Sequence, residues 1–282
     1  MAEGLRVLQA LWAMDRLITP EASLAQKFDR VRAAGFDGMA IDLGALSLEQ
    51  AEAAVPHFAR TGLAGGLTAF PRSVESLRAA LRLARRIEAP FAVIIGQDMP
   101  IRLEDMIRVI ERWLEVAAEE AMPIQFETHR NCITNDLFAT VQLLDAVPAM
   151  RLAADLSHYV VDRELPCPPP AELAALISKV ISRSESFQGR VAARGQIQIP
   201  LDLEQSAKWV ALFRGWWAEG FRAWRARHHG TGDALVFLCE LGPPDYALTD
   251  RDGREMSDRW EEALTLARWA RETWSASGLK AP

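Results

Sequence analysis

Two short apolar runs near the middle of the chain, Ile124–Phe126 and Leu152–Ala154, are each followed by a carboxylate, Glu127 and Asp155. A helical pattern separates the runs, which predicts a strand, a helix and a second strand. His158 stands three residues after Asp155, so the second predicted strand end carries a D-x-x-H sequence. The C-terminal ends of parallel strands meet at one edge of an α/β fold, where active sites are built. Two acids and an imidazole at that edge predict a divalent metal site; the alternative is that both acids are helix caps or surface loop residues.

Strand-like and helix-like segments alternate along the whole chain. The predicted strands are Leu5–Met14, Phe36–Leu43, Gly62–Phe70, Phe91–Gly96, Ile124–Phe126, Leu152–Ala154, Ser186–Ala193 and Leu235–Leu241. The predicted helices are Glu21–Ala34, Leu48–Thr61, Ser73–Ile87, Leu103–Glu120, Asp136–Val147, Ala171–Ser182, Leu203–His228 and Asp258–Trp274. This alternation predicts a single-domain (β/α)8 TIM barrel spanning residues 1–282. A doubly wound open sheet is the main alternative, but no Gly-rich turn follows the first predicted strand.

Composition narrows the partners and the compartment. The net charge is −6 with acidic and basic residues mixed throughout, which argues against nucleic acid or an anionic membrane as a partner. The three cysteines, Cys132, Cys167 and Cys239, form no C-x-x-C pair, so neither a disulfide framework nor a structural zinc cluster is expected. The sequence has no signal-peptide pattern and no apolar run of membrane-spanning length. We therefore expect a cytoplasmic protein that binds no nucleic acid and no membrane.

The last two predicted strands add residues of the same chemistry. Glu240 lies inside an apolar run, LVFLCEL, where an unpaired carboxylate would be costly. A bound cation beside Glu240 would remove that cost, and the alternative is an ion pair with an arginine. The seventh predicted strand brings Gln188, Arg190 and Arg194 toward the same mouth.

Four short sequences at these strand ends, taken together and in order, resemble the xylose isomerase-like TIM-barrel superfamily. They are FETHR at 126–130, DLSHY at 155–159, FQGRV at 187–191 and CELGPPDY at 239–246. That superfamily includes sugar isomerases, ketose 3-epimerases and many proteins named sugar phosphate isomerase/epimerase. The similarity of layout covers the whole chain and is sharpest from Glu127 onward.

The resemblance implies one divalent metal ion held by three carboxylates: Glu127, Asp155 and Glu240. The family's fourth ligand is a histidine of the seventh strand in an H-x-R setting, and here Gln188 stands in its place, with Arg190 as the arginine. Three carboxylates and an amide oxygen form an all-oxygen set, which favours Mn²⁺ or Mg²⁺ over Zn²⁺ or Co²⁺. The alternative is that Gln188 only makes hydrogen bonds and that water or His158 completes the shell.

The implied reaction is the isomerisation or epimerisation of a sugar, polyol or keto-sugar. A metal chelated by neighbouring oxygens of a hydroxy-carbonyl compound acidifies the C–H bond between them and stabilises the enediolate. Glu127 and Glu240 approach from opposite faces in the family, so one takes the proton and the other returns it. His158 is a further catalytic candidate, because it or an arginine would stabilise developing oxyanion charge. The same deprotonation followed by loss of a leaving group would make the protein a lyase or dehydratase.

Three residues are candidates for substrate contact: Arg190, Arg194 and Trp12. Trp12 would stack on a sugar face, and the alternative is that it only packs. The predicted partner is a small carbohydrate-like molecule. A homo-oligomer is left open, since the aromatic face of Leu203–His228 would serve either as core or as a subunit contact.

Two further interpretations rank lower. A zinc phosphodiester hydrolase of the same superfamily holds several zinc ions, largely by histidines, and this chain has only five histidines. A non-catalytic barrel subunit would account for the missing histidine of the seventh strand. Absence of bound metal in the purified protein would favour that last interpretation.

Overall fold

Eight parallel strands close into a barrel in sequence order, with β8 paired to β1, within the part of the chain that the structure describes. The computed structural model describes residues 4–17 and 21–278. The strands are β1 (Gly4–Ala10), β2 (Gly38–Asp42), β3 (Ala64–Ala69), β4 (Ala92–Ile94), β5 (Ile124–Glu127), β6 (Leu152–Ala154), β7 (Ser184–Gly189) and β8 (Ala234–Cys239). The α-helices of the described residues are α1 (Leu24–Ala33), α2 (Leu48–Thr61), α3 (Val74–Arg86), α4 (Leu103–Glu119), α5 (Leu137–Ala146), α6 (Leu156–Asp162), α7 (Ala171–Ser182), α8 (Ala207–Arg227) and α9 (Arg259–Ser277). The predicted (β/α)8 TIM barrel is confirmed.

The first three helices begin with the same local arrangement. The side chains of Ser23, Ser47 and Ser73 each accept a hydrogen bond from the backbone N–H of the residue three positions later. The side chain of that later residue in turn accepts a hydrogen bond from the backbone N–H of the serine. Such a capping box satisfies N–H groups that have no partner within the helix. Gly62 ends α2 in the left-handed region at φ 68°, where a residue with a Cβ would be strained. The serine caps fix where the first three loops at the barrel mouth end, and Gly62 ends α2 at the opposite end of the barrel.

The aromatic face of α8 packs against the outside of the barrel. Its buried aromatic side chains are Trp209, Phe213, Trp216, Trp217, Phe221 and Trp224. The ring of Trp217 meets Phe237 of β8 edge to face, with centroids 5.1 Å apart. A Cβ on Gly220 would lie 2.1 Å from the Phe187 ring, so α8 approaches β7 this closely only because the position has no side chain. This aromatic face is therefore part of the core, one of the two roles predicted for it.

Two strands, β1 and β7, end four residues earlier at the mouth than predicted. Strand β1 ends at Ala10, and a 3₁₀ turn over Trp12–Met14 follows where the strand was expected to continue. Strand β7 ends at Gly189, so Arg190 and Arg194 lie in the loop that follows. Both differences lengthen the rim loops that surround the barrel mouth. No helix among the described residues is both long and apolar enough to cross a membrane.

Candidate metal centre and active site

Three carboxylates meet at the C-terminal ends of the barrel strands. Glu127 is the last residue of β5, Asp155 follows β6, and Glu240 follows β8. All three are buried, with exposed fractions of 1%, 0% and 6%. One oxygen of each acid lies within 4.8 Å of the other two. The barrel thus brings together the three acids that the sequence pattern singled out.

The two oxygens of Asp155 have different partners. Oδ1 accepts a hydrogen bond from the Ser157 N–H at 2.9 Å and thereby caps helix α6, in a segment where a loop was predicted. Oδ2 faces Arg190 Nη1 at 2.9 Å. Because the cap fixes the orientation of the carboxylate, Oδ2 is held toward the mouth.

One guanidinium serves two of these acids. Arg190 is buried, its Nη2 lies 3.3 Å from Glu240 Oε1, and its Nε donates to the Glu240 backbone carbonyl at 3.0 Å, in addition to the contact with Asp155. Burial by itself would lower the pKa of Arg190, but the carboxylates of Glu240 and Asp155 raise it above its usual value. With all three acids ionised, Arg190 would balance one negative charge and leave two unbalanced in a buried site.

The acids show the cost of that imbalance in their pKa values. Burial, and then the negative charges of Glu240 and Asp155, raise the pKa of Glu127 well above its usual value. Burial raises the pKa of Glu240 to about 8, although Arg190 opposes the rise. A divalent cation would favour the ionised form of both acids, because it neutralises two charges at short range.

Gln188 of β7 occupies the position of the fourth expected ligand. Its Nε2 donates to Glu127 Oε2 at 3.0 Å. Its Oε1 is buried without a hydrogen-bond partner among the described residues, and the same holds for Glu240 Oε2. Buried acceptors without partners are uncommon in folded proteins. Two unpartnered oxygens beside an excess of buried carboxylates would suit a hard divalent cation. Coordination by Gln188 itself stays a prediction.

Two histidines, His129 and His158, lie beside the acids with ring centroids 3.9 Å apart. Both ring nitrogens of His158 are buried without a hydrogen-bond partner among the described residues, and Nε2 lies 3.4 Å from Asp155 Oδ2 outside hydrogen-bond geometry. Burial lowers the pKa of His129 to about 4 and that of His158 well below its usual value, so both rings are neutral at neutral pH. Sequence reasoning assigned His129 no role, although it lies two residues after Glu127.

A cavity of about 540 Å³ opens beside Glu240. Trp12, Phe70 and Tyr246 contribute aromatic walls, and the Trp12 and Tyr246 rings meet edge to face with centroids 5.3 Å apart. The Trp12 indole nitrogen is close enough to Glu240 to favour the ionised carboxylate, but no hydrogen bond of normal geometry joins them. The cavity has the size of a small-molecule site, and Trp12 lines it, as its predicted substrate contact requires.

Two other polar residues of the rim differ in their access to the cavity. Arg194 is exposed and pairs with Glu164 at 3.2 Å, so its predicted contact with substrate stays a prediction. Asp42 lines the cavity, and its Oδ1 accepts a hydrogen bond from the Gly44 N–H at 2.6 Å. Burial raises the pKa of Asp42 to about 6. Sequence reasoning gave Asp42 no role.

Several solved structures share this architecture. A xylose isomerase-like TIM barrel protein from Mycobacterium smegmatis, in complex with magnesium, aligns over 97% of this chain and 100% of its own, at TM-score 0.62 and 14% identity. A D-allulose 3-epimerase from Methylomonas sp., in complex with D-allulose, aligns over 96% of this chain and 98% of its own, at TM-score 0.60 and 13% identity. A probable 3-DHS dehydratase from Bacillus anthracis aligns over 93% and 98%, at TM-score 0.55 and 14% identity.

These likenesses are structural, since no family model and no curated protein matches the chain. Identities of 12–14% show a shared fold and do not show a shared reaction or substrate. The structural neighbours include sugar epimerases and a sugar phosphate isomerase/epimerase, as the strand-end sequences predicted. The chain therefore has the fold of the xylose isomerase-like TIM-barrel proteins.

Proposed function

We propose that this protein is a divalent-metal-dependent sugar isomerase or epimerase that removes a proton from the carbon next to a carbonyl group. The observation that carries the proposal is the buried group of Glu127, Asp155 and Glu240, in which the guanidinium of Arg190 pairs only with Asp155 and Glu240. A cavity of about 540 Å³, large enough for a monosaccharide, lies beside it. Neighbours of the same fold carry D-allulose or D-tagatose, which supports a small carbohydrate-like substrate.

The metal would be held by oxygen atoms. The proposed ligands are the carboxylates of Glu127, Asp155 and Glu240 and the side-chain oxygen of Gln188. An all-oxygen set favours Mn²⁺ or Mg²⁺ over Zn²⁺ or Co²⁺, and the magnesium complex of one neighbour is consistent with this choice. Such an ion, when bound, polarises a substrate carbonyl oxygen and stabilises the negative charge that develops on deprotonation.

Glu127 and Glu240 are the proposed acid–base pair. They lie at the ends of β5 and β8, which β6 and β7 separate around the barrel, so they can approach one substrate carbon from different sides. Gln188 Nε2 donates to Glu127 Oε2 and orients that carboxylate. Glu240 Oε2 has no hydrogen-bond partner among the described residues, which leaves it available to take or return a proton.

Three other side chains would orient the substrate. His158 is neutral and both of its ring nitrogens lack partners, so it offers one N–H donor and one acceptor to sugar oxygens. Arg190 is held in place by two acids, and its charge would stabilise a developing oxyanion. Trp12 gives the cavity an aromatic wall against which the C–H face of a sugar can pack.

A lyase that acts on a keto-sugar-like substrate is the second candidate. Removal of the same proton becomes an elimination when a leaving group is attached to the next carbon. The likeness to a probable dehydratase, at TM-score 0.55, favours keeping this candidate. Both reactions would use the same acids, so the substrate decides between them.

Deuterium exchange with solvent tests the proposal. With Mn²⁺ in D₂O, we expect one substrate of a keto-sugar panel that includes D-allulose, D-tagatose and D-fructose to acquire deuterium at the reacting carbon. The variant Glu240→Gln should keep some metal binding, because an amide oxygen can still coordinate, but lose turnover by about 100-fold or more. The matched control Glu104→Gln removes an exposed carboxylate and should change nothing.

Other outcomes have distinct meanings. Transfer of the label to the neighbouring carbon without exchange would show a hydride shift and would contradict the acid–base roles of Glu127 and Glu240. A dehydrated product would favour the lyase.

A further inference from the structure

Two arginines at the rim of the cavity, Arg72 and Arg130, have no acidic partner within ion-pair distance among the described residues. Both are exposed. Arg72 contacts a glutamine side chain, and Arg130 lies over an aromatic ring. The rim therefore carries two positive charges that no carboxylate of the described residues neutralises. The barrel mouth beside it holds the buried acids.

Arg72 is held by the loop that follows the next strand. It follows β3 and lines the cavity together with Gln97, which follows β4. Arg72 Nε donates to Gln97 Oε1 at 2.9 Å, and the Arg72 backbone N–H donates to Ser76 Oγ at 3.1 Å. Among the described residues only Nε of the Arg72 side chain forms a hydrogen bond. Both Nη groups are therefore available to form paired hydrogen bonds with a carboxylate or phosphate.

Arg130 lies on the loop after β5, on the part of the rim that carries His129. Its guanidinium carbon is 5.4 Å from the centroid of the Tyr246 ring, and Tyr246 lines the cavity. Arg130 thus contacts an aromatic wall of the cavity that Arg72 borders.

The cavity lining therefore includes two acids, Asp42 and Glu240, and Arg72, while Arg130 lies against its Tyr246 wall. We infer that Arg72 and Arg130 form an anion-binding subsite, so that the substrate carries a carboxylate or phosphate group away from its reacting carbons. The inference rests on the proposed function for the role of the cavity and adds the charge of the substrate. The chain has a net charge of −6, so a local positive rim would also offset the repulsion of an anionic substrate.

Matched polyol probes test this subsite by isothermal titration calorimetry. Sorbitol, D-gluconate and sorbitol 6-phosphate share a six-carbon polyol and differ in the group at one end. In the presence of Mn²⁺ and at low salt, we expect an anionic probe to bind about tenfold or more tightly than sorbitol, with a smaller preference at high salt. The tighter of the two anionic probes identifies the group as carboxylate or phosphate.

Variants assign the preference to the two arginines. Arg72→Gln and Arg130→Gln remove a charge from an exposed position, and each should weaken the anionic probe about tenfold while leaving sorbitol unchanged. Arg102→Gln, whose side chain is 77% exposed and does not line the cavity, is the matched control and should leave all three affinities unchanged.

Two results would overturn the subsite. One is an anionic preference that survives both substitutions, as would occur if the bound metal alone held the carboxylate. The other is equal affinity for all three probes, including no measurable binding of any at millimolar concentration. Failure of the wild-type protein to bind Mn²⁺ would instead count against the proposed function, and the comparison of probes without metal would still decide the subsite.

Discussion

Two clusters of charged side chains in this barrel have an excess of opposite charge: negative at the mouth and positive on the flank. At the mouth, three buried acids lie together, and the guanidinium of Arg190 pairs with two of them, Asp155 and Glu240. On the flank formed by α3 and α4, one acid, Glu120, has three arginines at 3.0, 3.3 and 3.7 Å: Arg78, Arg82 and Arg85. Those three side chains are 29%, 63% and 48% exposed, so water and dissolved ions screen their excess charge. The acids at the mouth are at most 6% exposed, so solvent screens their excess charge far less, and a bound cation would balance it.

The pKa values of the acids show the same contrast. Hydrogen bonds from Arg82 and Arg78 lower the pKa of Glu120 from its usual 4.5, so its charged form stabilises the fold above that pH and the contribution is lost as the pH falls. Burial raises the pKa of Glu127, so its charged form destabilises the metal-free fold. Removing the charge of Glu120 should therefore lower the stability of the fold, whereas removing the charge of Glu127 should leave the stability of the metal-free protein unchanged or raise it.

The largest effect is expected from Arg190→Gln. The substitution leaves three buried acids without a cation, so the unfolding free energy of the EDTA-treated protein should fall by about 3–5 kcal/mol. Saturating Mn²⁺ should recover part of the loss, because the ion binds only the folded protein. Urea unfolding with and without Mn²⁺ measures both quantities. An equal loss in the two conditions would mean that Arg190 and the ion do not balance the same charges.

Glu127→Gln should separate metal binding from stability. We expect the Mn²⁺ affinity to fall about 100-fold or more, since a buried charged ligand is lost. The melting temperature of the EDTA-treated protein should stay the same or rise, because one of two unbalanced negative charges is removed. Calorimetric titration and thermal unfolding of the same preparation measure the two effects. A lower melting temperature with unchanged Mn²⁺ affinity would indicate that Glu127 is only a structural residue.

Gln188→His should change which metal is preferred. An imidazole nitrogen in place of the amide oxygen favours Zn²⁺ or Co²⁺ over Mn²⁺, and we expect the ratio of affinities to move by about tenfold. Competition between the ions, followed by metal analysis, measures the ratio. An unchanged ratio would count against coordination by Gln188 and would favour its role as a hydrogen-bond donor to Glu127.

The smallest effect is expected from Glu120→Gln on the α3–α4 flank. Glu120 itself is 7% exposed, but its arginine partners reach solvent, so loss of the shared acid should lower the melting temperature by about 1–3 °C. The Mn²⁺ affinity should equal that of the wild type. A change in Mn²⁺ affinity would show that the two clusters are energetically coupled. They could then not be compared as independent regions.

The barrel and its three acids could be predicted from the sequence, because both depend on local patterns. Apolar runs followed directly by Glu127 or Asp155 mark strand ends, and parallel strands in a barrel bring those ends together. The buried environment of Glu240 was likewise expected from its apolar neighbours. These inferences need only the order of residues along each strand.

The remaining features of the mouth depend on contacts between distant segments. Arg190 pairs with Asp155 and Glu240 across 35 and 50 residues of sequence, and no local pattern indicates that one arginine would serve both. Helix α6 exists because Asp155 turns one oxygen back to cap it. The unpaired state of Arg72 is equally invisible in the sequence, since it depends on which acids the fold leaves out of reach.

Metal binding by the wild-type protein tests the central claim most directly. Equilibrium dialysis against Mn²⁺, followed by elemental analysis, should find one ion per chain, with binding strongly weakened in Glu127→Gln and unchanged in Glu120→Gln. Such a result would show that the buried excess of negative charge, and not acidity in general, creates the site. A wild-type protein that binds no ion, or a Glu127→Gln variant that binds as well as the wild type, would contradict the account.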